Sequence, residues 1–266
     1  MKTRVLLPLI WMSLCVFSLP PARAEGLTAQ QVVDKSNLAA YYQGDDGRSV
    51  VTMTITDPQG RERKREFTIL RFDVEDGGEQ KYYVYFDKPA DVRKTVFMVH
   101  KKPGSDDDRW LYLPALDLVR RIAASDKRSS FVGSHFFYED VSGRRPDEDT
   151  HEMVSEDETS YHIKGTPKDP DSVEFASYVV QIDKANFLPL KAVYTDKQGK
   201  EYRQVEALQV KDIQGFATVT EAKVTDLLTG GFTVSQFNNV EYNIGLTDDI
   251  FTERFLRKAP RQWLKP

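Results

Sequence analysis

SVVTMTITDPQGRERKREFTILRF, Ser49 to Phe72, decides the fold class of this chain. Val51, Met53 and Ile55 alternate with Thr52, Thr54 and Thr56, a period of two that belongs to a strand with one buried face. Asp57-Pro58-Gln59-Gly60 then supplies turn chemistry, and the return strand, Arg63 to Phe72, sets Phe67 and Ile69 on one face with Thr68 opposite. A hairpin with a polar turn predicts antiparallel pairing, since parallel neighbours need a crossover of about a dozen residues.

The pattern continues on both sides of this hairpin. Upstream, Leu27 to Tyr42 reads as one amphipathic helix, capped by Thr28 with Gln31 as its capping-box partner. Downstream, strands are expected at Lys81–Phe86, Thr95–Lys101, Arg109–Leu113 and Leu118–Ile122, joined by short polar turns. Ser129 to Ser142 carries Phe131, Phe136, Phe137 and Tyr138 and reads as a short helix or covering loop, followed by a charged linker, Gly143 to Asp149. Strand patterning resumes at Thr150–Val154 and recurs to Gly231–Tyr242, with hairpin-like connections. Asp57-Pro-Gln-Gly-Arg-Glu is echoed by Asp196-Lys-Gln-Gly-Lys-Glu, which reads as repeated turn chemistry.

Composition agrees with a globular protein: 40% hydrophobic and 29% charged residues over 266 positions are neither disordered nor polytopic. A net charge of −4 gives no broad cationic surface, so nucleic acid is not an expected partner. Met1 to Arg4 is basic, Val5 to Leu19 is apolar apart from Pro8 and Ser13, and Ala22-Arg23-Ala24 forms a small-residue site. Residues 1–24 are therefore expected to be a signal peptide cleaved after Ala24, leaving residues 25–266 as a single domain in the periplasm. Cleavage removes Lys2, Arg4, Arg23 and the lone Cys15, taking the net charge from −4 to −7.

No catalytic or metal-binding grouping emerges. His100, His135, His151 and His162 lack ligand spacing and read as solvated, and Asp106-Asp107-Asp108 reads as a turn in water. Ser134 lies in Val-Gly-Ser-His-Phe, which is not a nucleophile elbow, and no phosphate-cradling glycine loop is present. Neither an enzyme nor a cofactor is expected. Several strands are apolar on both faces, Tyr82, Val84 and Phe86 opposing Tyr83 and Tyr85, so something must cover the second face. Either a sandwich core or covering helices do so, or a curved sheet holds an apolar ligand under the first helix.

At Asp106 to Ser142 the sequence runs DDDRWLYLPALDLVRRIAASDKRSSFVGSHFFYEDVS. It resembles the outer-membrane lipoprotein-sorting proteins related to the carrier LolA, through Trp110 to Pro114, Val119 to Ile122, Gly133, Ser134, Phe136, Tyr138, Glu139 and Asp140. The resemblance implies a mainly β (α+β) fold: a strongly curved antiparallel sheet forming an incomplete β-barrel, closed by the N-terminal helix and a short central helical or loop segment. It also implies a non-catalytic carrier of a lipid or of lipoprotein acyl chains, with an inner-membrane RND-type transporter and an outer-membrane acceptor as partners. The expected cavity residues are Met53, Phe67, Ile69, Phe97, Val99, Trp110, Tyr112, Phe136 and Tyr138. The first helix and Ser129–Ser142 are the expected lids, and Arg120, Arg121, Lys127 and Arg128 read as a solvated charged face or, alternatively, as contacts for anionic headgroups near the mouth. The alternative is an envelope interaction module that packs its sheet on a protein partner.

Overall fold

The computed structural model describes residues 26–265. The export segment read above lies outside the described residues. Thr28 caps the first helix, α1 (Ala29–Tyr41): its hydroxyl accepts from the Gln31 amide, while the Gln31 side chain accepts from the Thr28 amide. The expected meander follows as β1 (Asp46–Thr56), β2 (Glu62–Asp73), β3 (Gln80–Lys88), β4 (Val96–Lys101), β5 (Asp108–Leu113) and β6 (Leu118–Ile122). A connection containing α2 (Tyr138–Ser142) leads to β7 (Asp149–Glu156), β8 (Ser160–Pro167), β9 (Phe175–Asp183) and β10 (Pro189–Asp196). Then come β11 (Glu201–Ile213), β12 (Phe216–Asp226), β13 (Phe232–Tyr242) and the short α3 (Glu253–Arg257).

All 13 strands form one antiparallel sheet in the order β6-β5-β4-β3-β2-β1-β13-β12-β11-β10-β9-β8-β7. First and last strands therefore meet in the middle, with Val51 opposite Phe237 and Met53 opposite Ser235. The two edges, β6 and β7, are consecutive in sequence yet unpaired, so the curved sheet stays open and residues 123–148 cross its open side. Bulges add curvature where an extra residue breaks the ladder, between Arg48 and Val50 against β13 and beside Gln209 in β11.

Both faces of the first meander are covered, by different segments. On the concave face Met53, Phe67, Phe86, Phe97 and Val99 pack around Phe131 and Tyr138 of the crossing segment. Phe131 lies 6.1, 5.8 and 5.6 Å, centroid to centroid, from Phe67, Phe86 and Phe97. On the convex face Leu70, Tyr83, Val96 and Met98 pack under Leu246, Ile250, Phe251, Leu256 and Leu264. The C-terminal segment thus covers the second apolar face.

Polar residues depart further from expectation. Asp107 is buried, with Arg109 at 2.6 Å, and Asp108 pairs with Lys102 and Arg121, so of that triplet only Asp106 stands in water. The histidines are not uniformly solvated either. His100 Nε2 lies 2.8 Å from the Phe251 carbonyl, His135 Nδ1 2.8 Å from Thr233 Oγ1, and His151 bridges Gln30 and Tyr178. Each joins segments distant in sequence, a role that spacing within one strand does not reveal. The repeated Asp-x-x-Gly turns do share one chemistry: Asp57 and Asp196 each accept from the amides two and four residues on.

Candidate functional site

Between α1 and the concave face lies a cavity of about 490 Å³. Its roof is Val33, Ser36, Asn37, Ala40 and Tyr41 of α1, and its floor spans β1, β2 and β9 to β13. Residue size decides where the space opens. Ala192, Ala207, Ala217, Ala222 and Ser235 occupy floor positions in the second meander, and Ala207 and Ala222 face each other across the β11–β12 ladder. Alanine is depleted in strands because it packs poorly on a pleated surface, so its recurrence here leaves the sheet unfilled. Val51, Phe67, Ile69, Val180, Ile182, Tyr194 and Phe237 make the walls apolar.

The expected site residues divide three ways. Met53, Phe67, Ile69 and Phe136 line the cavity. Phe97, Val99 and Tyr138 lie on the same face but outside the lining, inside the packed cluster around Phe131. Trp110 and Tyr112 are corrected to the convex face, where they pack with the C-terminal segment. The register explains it: Phe97 faces Leu111 and Met98 faces Trp110, and directly paired residues share a face. Sequence reading missed the alanines and the α1 residues. Ala192, Ala207, Ala217 and Ala222, small residues within strands, were the available signal.

Polar atoms mark the cavity as well. Asn37 Oδ1, Ser49 Oγ and Ser235 Oγ are buried without a hydrogen-bond partner among the described residues, and all three residues line it. Near its entrance Gln43 Nε2 donates to the Ala217 carbonyl at 2.6 Å, and Tyr242 Oη donates to Gln43 Oε1 at 3.1 Å. The end of α1 is tied to the sheet by Arg71, which donates to the carbonyls of Tyr41 (2.7 Å) and Gly44 (2.6 Å). Gln80 Nε2 donates to the Tyr41 carbonyl and to Asp73 Oδ1, both at 2.7 Å. Burial raises Asp73 to about 6 despite neighbouring Arg71. Burial likewise lowers Lys101 to about 8, its ammonium donating to the Ser142 carbonyl at 2.9 Å beneath the Tyr41 and Tyr42 rings.

The crossing segment lines the cavity through Phe131, Phe136 and Val141 and is tied down by ion pairs. Glu139, 2% exposed, is held by Arg128 at 2.5 Å, Lys127 at 3.2 Å and Arg144 at 3.3 Å. Burial alone would raise the Glu139 carboxyl; the cations Arg128, Lys127 and Arg144 outweigh it and hold the group at about 2. Arg144 also pairs with Asp149 of β7 at 2.8 Å and Arg203 of β11 with Asp140 at 2.5 Å, and with Lys101 of β4 on the Ser142 carbonyl these join the segment to both meanders. Lys127 and Arg128 are therefore consumed internally, whereas Arg121 and Arg120, paired with Asp108 and Asp126, stay exposed. Gly143, at φ 76°, sits where a Cβ would lie 2.5 Å from Tyr41 Cζ; the close approach seats α1 on the wall. Gly165 makes similar room for the Tyr178 ring, 2.2 Å from where its Cβ would be.

Among the described residues no cluster of His, Cys, Asp or Glu has metal-holding geometry. Ser134 is buried, and its hydroxyl donates to the Phe136 carbonyl at 3.4 Å and accepts from the Phe136 amide at 3.1 Å. What the arrangement offers is an apolar compartment with a few unmatched polar atoms.

Comparison with known proteins extends this geometry. A family model described as an uncharacterized protein matches residues 78–258. A DUF1329 family protein from Desulfovibrio piger ATCC 29098 is 30% identical, covering 85% of this chain and 95% of its own, with a TM-score of 0.77. The chain belongs to the DUF1329 family. A Vibrio parahaemolyticus domain described as an outer-membrane lipoprotein-sorting protein is 25% identical to this DUF1329 chain, covering 86% of it and 98% of that domain, with a TM-score of 0.79. A LolA superfamily protein from Nitrosomonas europaea is 19% identical, covering 86% and 100%, and its TM-score of 0.67 shows that the DUF1329 chain shares that fold. No curated protein matches the sequence. The LolA-like incomplete barrel expected from Trp110 to Asp140 is thus the observed fold.

Proposed function

We propose that this protein is a periplasmic, non-catalytic carrier that holds a lipid, or the acyl chains of a lipoprotein, in the cavity beneath α1 and shuttles it toward the outer membrane. One observation carries the reading: an apolar cavity of about 490 Å³ in a protein whose adjoining concave face is packed solid. Its size falls in the range of sites that enclose a small ligand, about 300–1,000 Å³. The lipoprotein-sorting description of the Vibrio parahaemolyticus relative supports the same class of cargo, and the basic, apolar, small-residue start of the chain supports export.

The thermodynamics fit exchange. Each methylene removed from water contributes about 0.8 kcal/mol, so ten of them supply roughly 8 kcal/mol before ordering costs. Such a cargo leaves only toward a competing apolar site. An RND-type inner-membrane transporter as donor and an outer-membrane acceptor complete the proposed route. Asn37, Ser49 and Ser235 suit a cargo that brings its own hydrogen-bonding groups.

Lipid extraction and mass spectrometry of protein isolated from its own periplasm test the proposal. The expected result is a lipid bound near one equivalent. An empty protein with a stoichiometric protein companion would contradict it and favour an envelope interaction module.

A further inference from the structure

The cavity does not account for the hairpin that joins β5 to β6. Its turn, Pro114 to Asp117, closes with Asp117 at φ 45° and presents Leu116 at 70% exposure, beside Leu118 at 45%. The ladder sets what flanks it. Val96 faces Tyr112, so the β3–β4 turn, with exposed Arg93 and Lys94, lies next to Leu113 at the base of the tip. On the other flank α3 carries exposed Arg254 and Arg257, three residues apart and hence on one face, and exposed Lys258 follows as its C-terminal cap. Arg257 Nε donates to Asp117 Oδ1 at 3.1 Å and fixes α3 against the tip.

Unpaired cations gather around this tip. Among the described residues, Arg93, Lys94, Arg254 and Lys258 have no carboxylate within 4.0 Å, whereas the nearby Asp91 and Asp117 are engaged by Arg65 and Arg257. Glu253 is the acid left on this flank of α3. We propose that this face docks on an anionic lipid bilayer, Leu116 entering the headgroup layer while the flanking cations meet lipid phosphates. A chain of net charge −4 is repelled as a whole by such a surface, so contact requires a local face of opposite sign. A projecting apolar tip ringed by unpaired cations matches a deformable anionic interface, the chemistry of interfacial binding. The inference is independent of what fills the cavity.

Co-sedimentation of the protein isolated from its own periplasm with vesicles of phosphatidylethanolamine and phosphatidylglycerol tests it, with phosphatidylcholine vesicles as the neutral control. Binding to the anionic vesicles is expected, weakening as salt is added. Joint Arg93→Ala and Lys94→Ala substitution is expected to lower partitioning about twenty-five-fold, at about fivefold per charge. Leu116→Glu should lower it at least about tenfold, and because these side chains are exposed, circular dichroism should stay unchanged. No binding by the wild-type chain, equal binding to phosphatidylcholine, or an unaltered Leu116→Glu variant would overturn the proposal. So would binding that appears only when a membrane protein is present in the vesicles.

Discussion

The two meanders share one sheet and one curvature but use their concave faces differently. In the first, Phe86 and Phe97 meet Phe131 and Tyr138 of the crossing segment and fill the face, and β1 and β2 border the cavity, through Met53, Phe67 and Ile69. In the second, Ala192, Ala207, Ala222 and Ser235 stand where a plug would need large partners, and the space stays open under α1. Side-chain volume and the path of residues 123–148 decide which part is core and which is compartment. A curved sheet therefore becomes a container only where its filling is withheld.

A carboxylate placed on each side separates the two regimes most sharply. Phe97→Glu buries an unpaired charge at a fully enclosed position, costing several kcal/mol, and the chain is expected to lose its strand-type circular dichroism. Ala222→Glu puts the same charge into the open compartment, and a folded protein with modestly lowered melting temperature is expected. A folded Phe97→Glu protein would show that the packed half is not a core.

The crossing segment comes next. Glu139→Gln leaves Arg128, Lys127 and Arg144 without their shared anion, an expected loss of about 3–5 kcal/mol in urea unfolding. The pH dependence has a definite sign. A carboxyl held at about 2 in the fold, below its ordinary 4.5, contributes stability that is fully present above about 4.5 and is lost as pH falls toward 2. Acid unfolding of the wild type should steepen in that window, and Glu139→Gln should flatten it.

Much of this division was legible beforehand, and its limits are physical. Alternation in Ser49–Phe72 gives the hairpin, and Thr28 with Gln31 gives the helix start, because both are local. Trp110 and Tyr112 were misplaced because β5 is apolar on both faces, and only its pairing with Met98 and Val96 tells which side is inward. Enclosure of charge was not legible for a related reason: Glu139 is buried and Arg144 half-buried only through pairs such as Arg128–Glu139 and Arg144–Asp149 that form in the fold. Sequence shows charge, not enclosure.

Gly143→Ala is a smaller perturbation. Its Cβ would meet the Tyr41 ring at a positive φ, so about 1–3 kcal/mol of destabilisation is expected, with α1 amides exchanging faster than those of β3. Uniform exchange throughout would mean that α1 and the wall do not depend on this contact.

Filling the open half is expected to change stability least and function most. Ala207→Leu with Ala222→Leu adds bulk to facing floor positions, with a stability change within about 1.5 kcal/mol because space already exists there. Native mass spectrometry of the wild-type and doubly substituted proteins, both isolated from the periplasm, compares their lipid occupancy directly. The wild type should carry a lipid and the filled variant should be folded and empty. A filled variant that retains wild-type occupancy would contradict the assignment of the cavity as the cargo site.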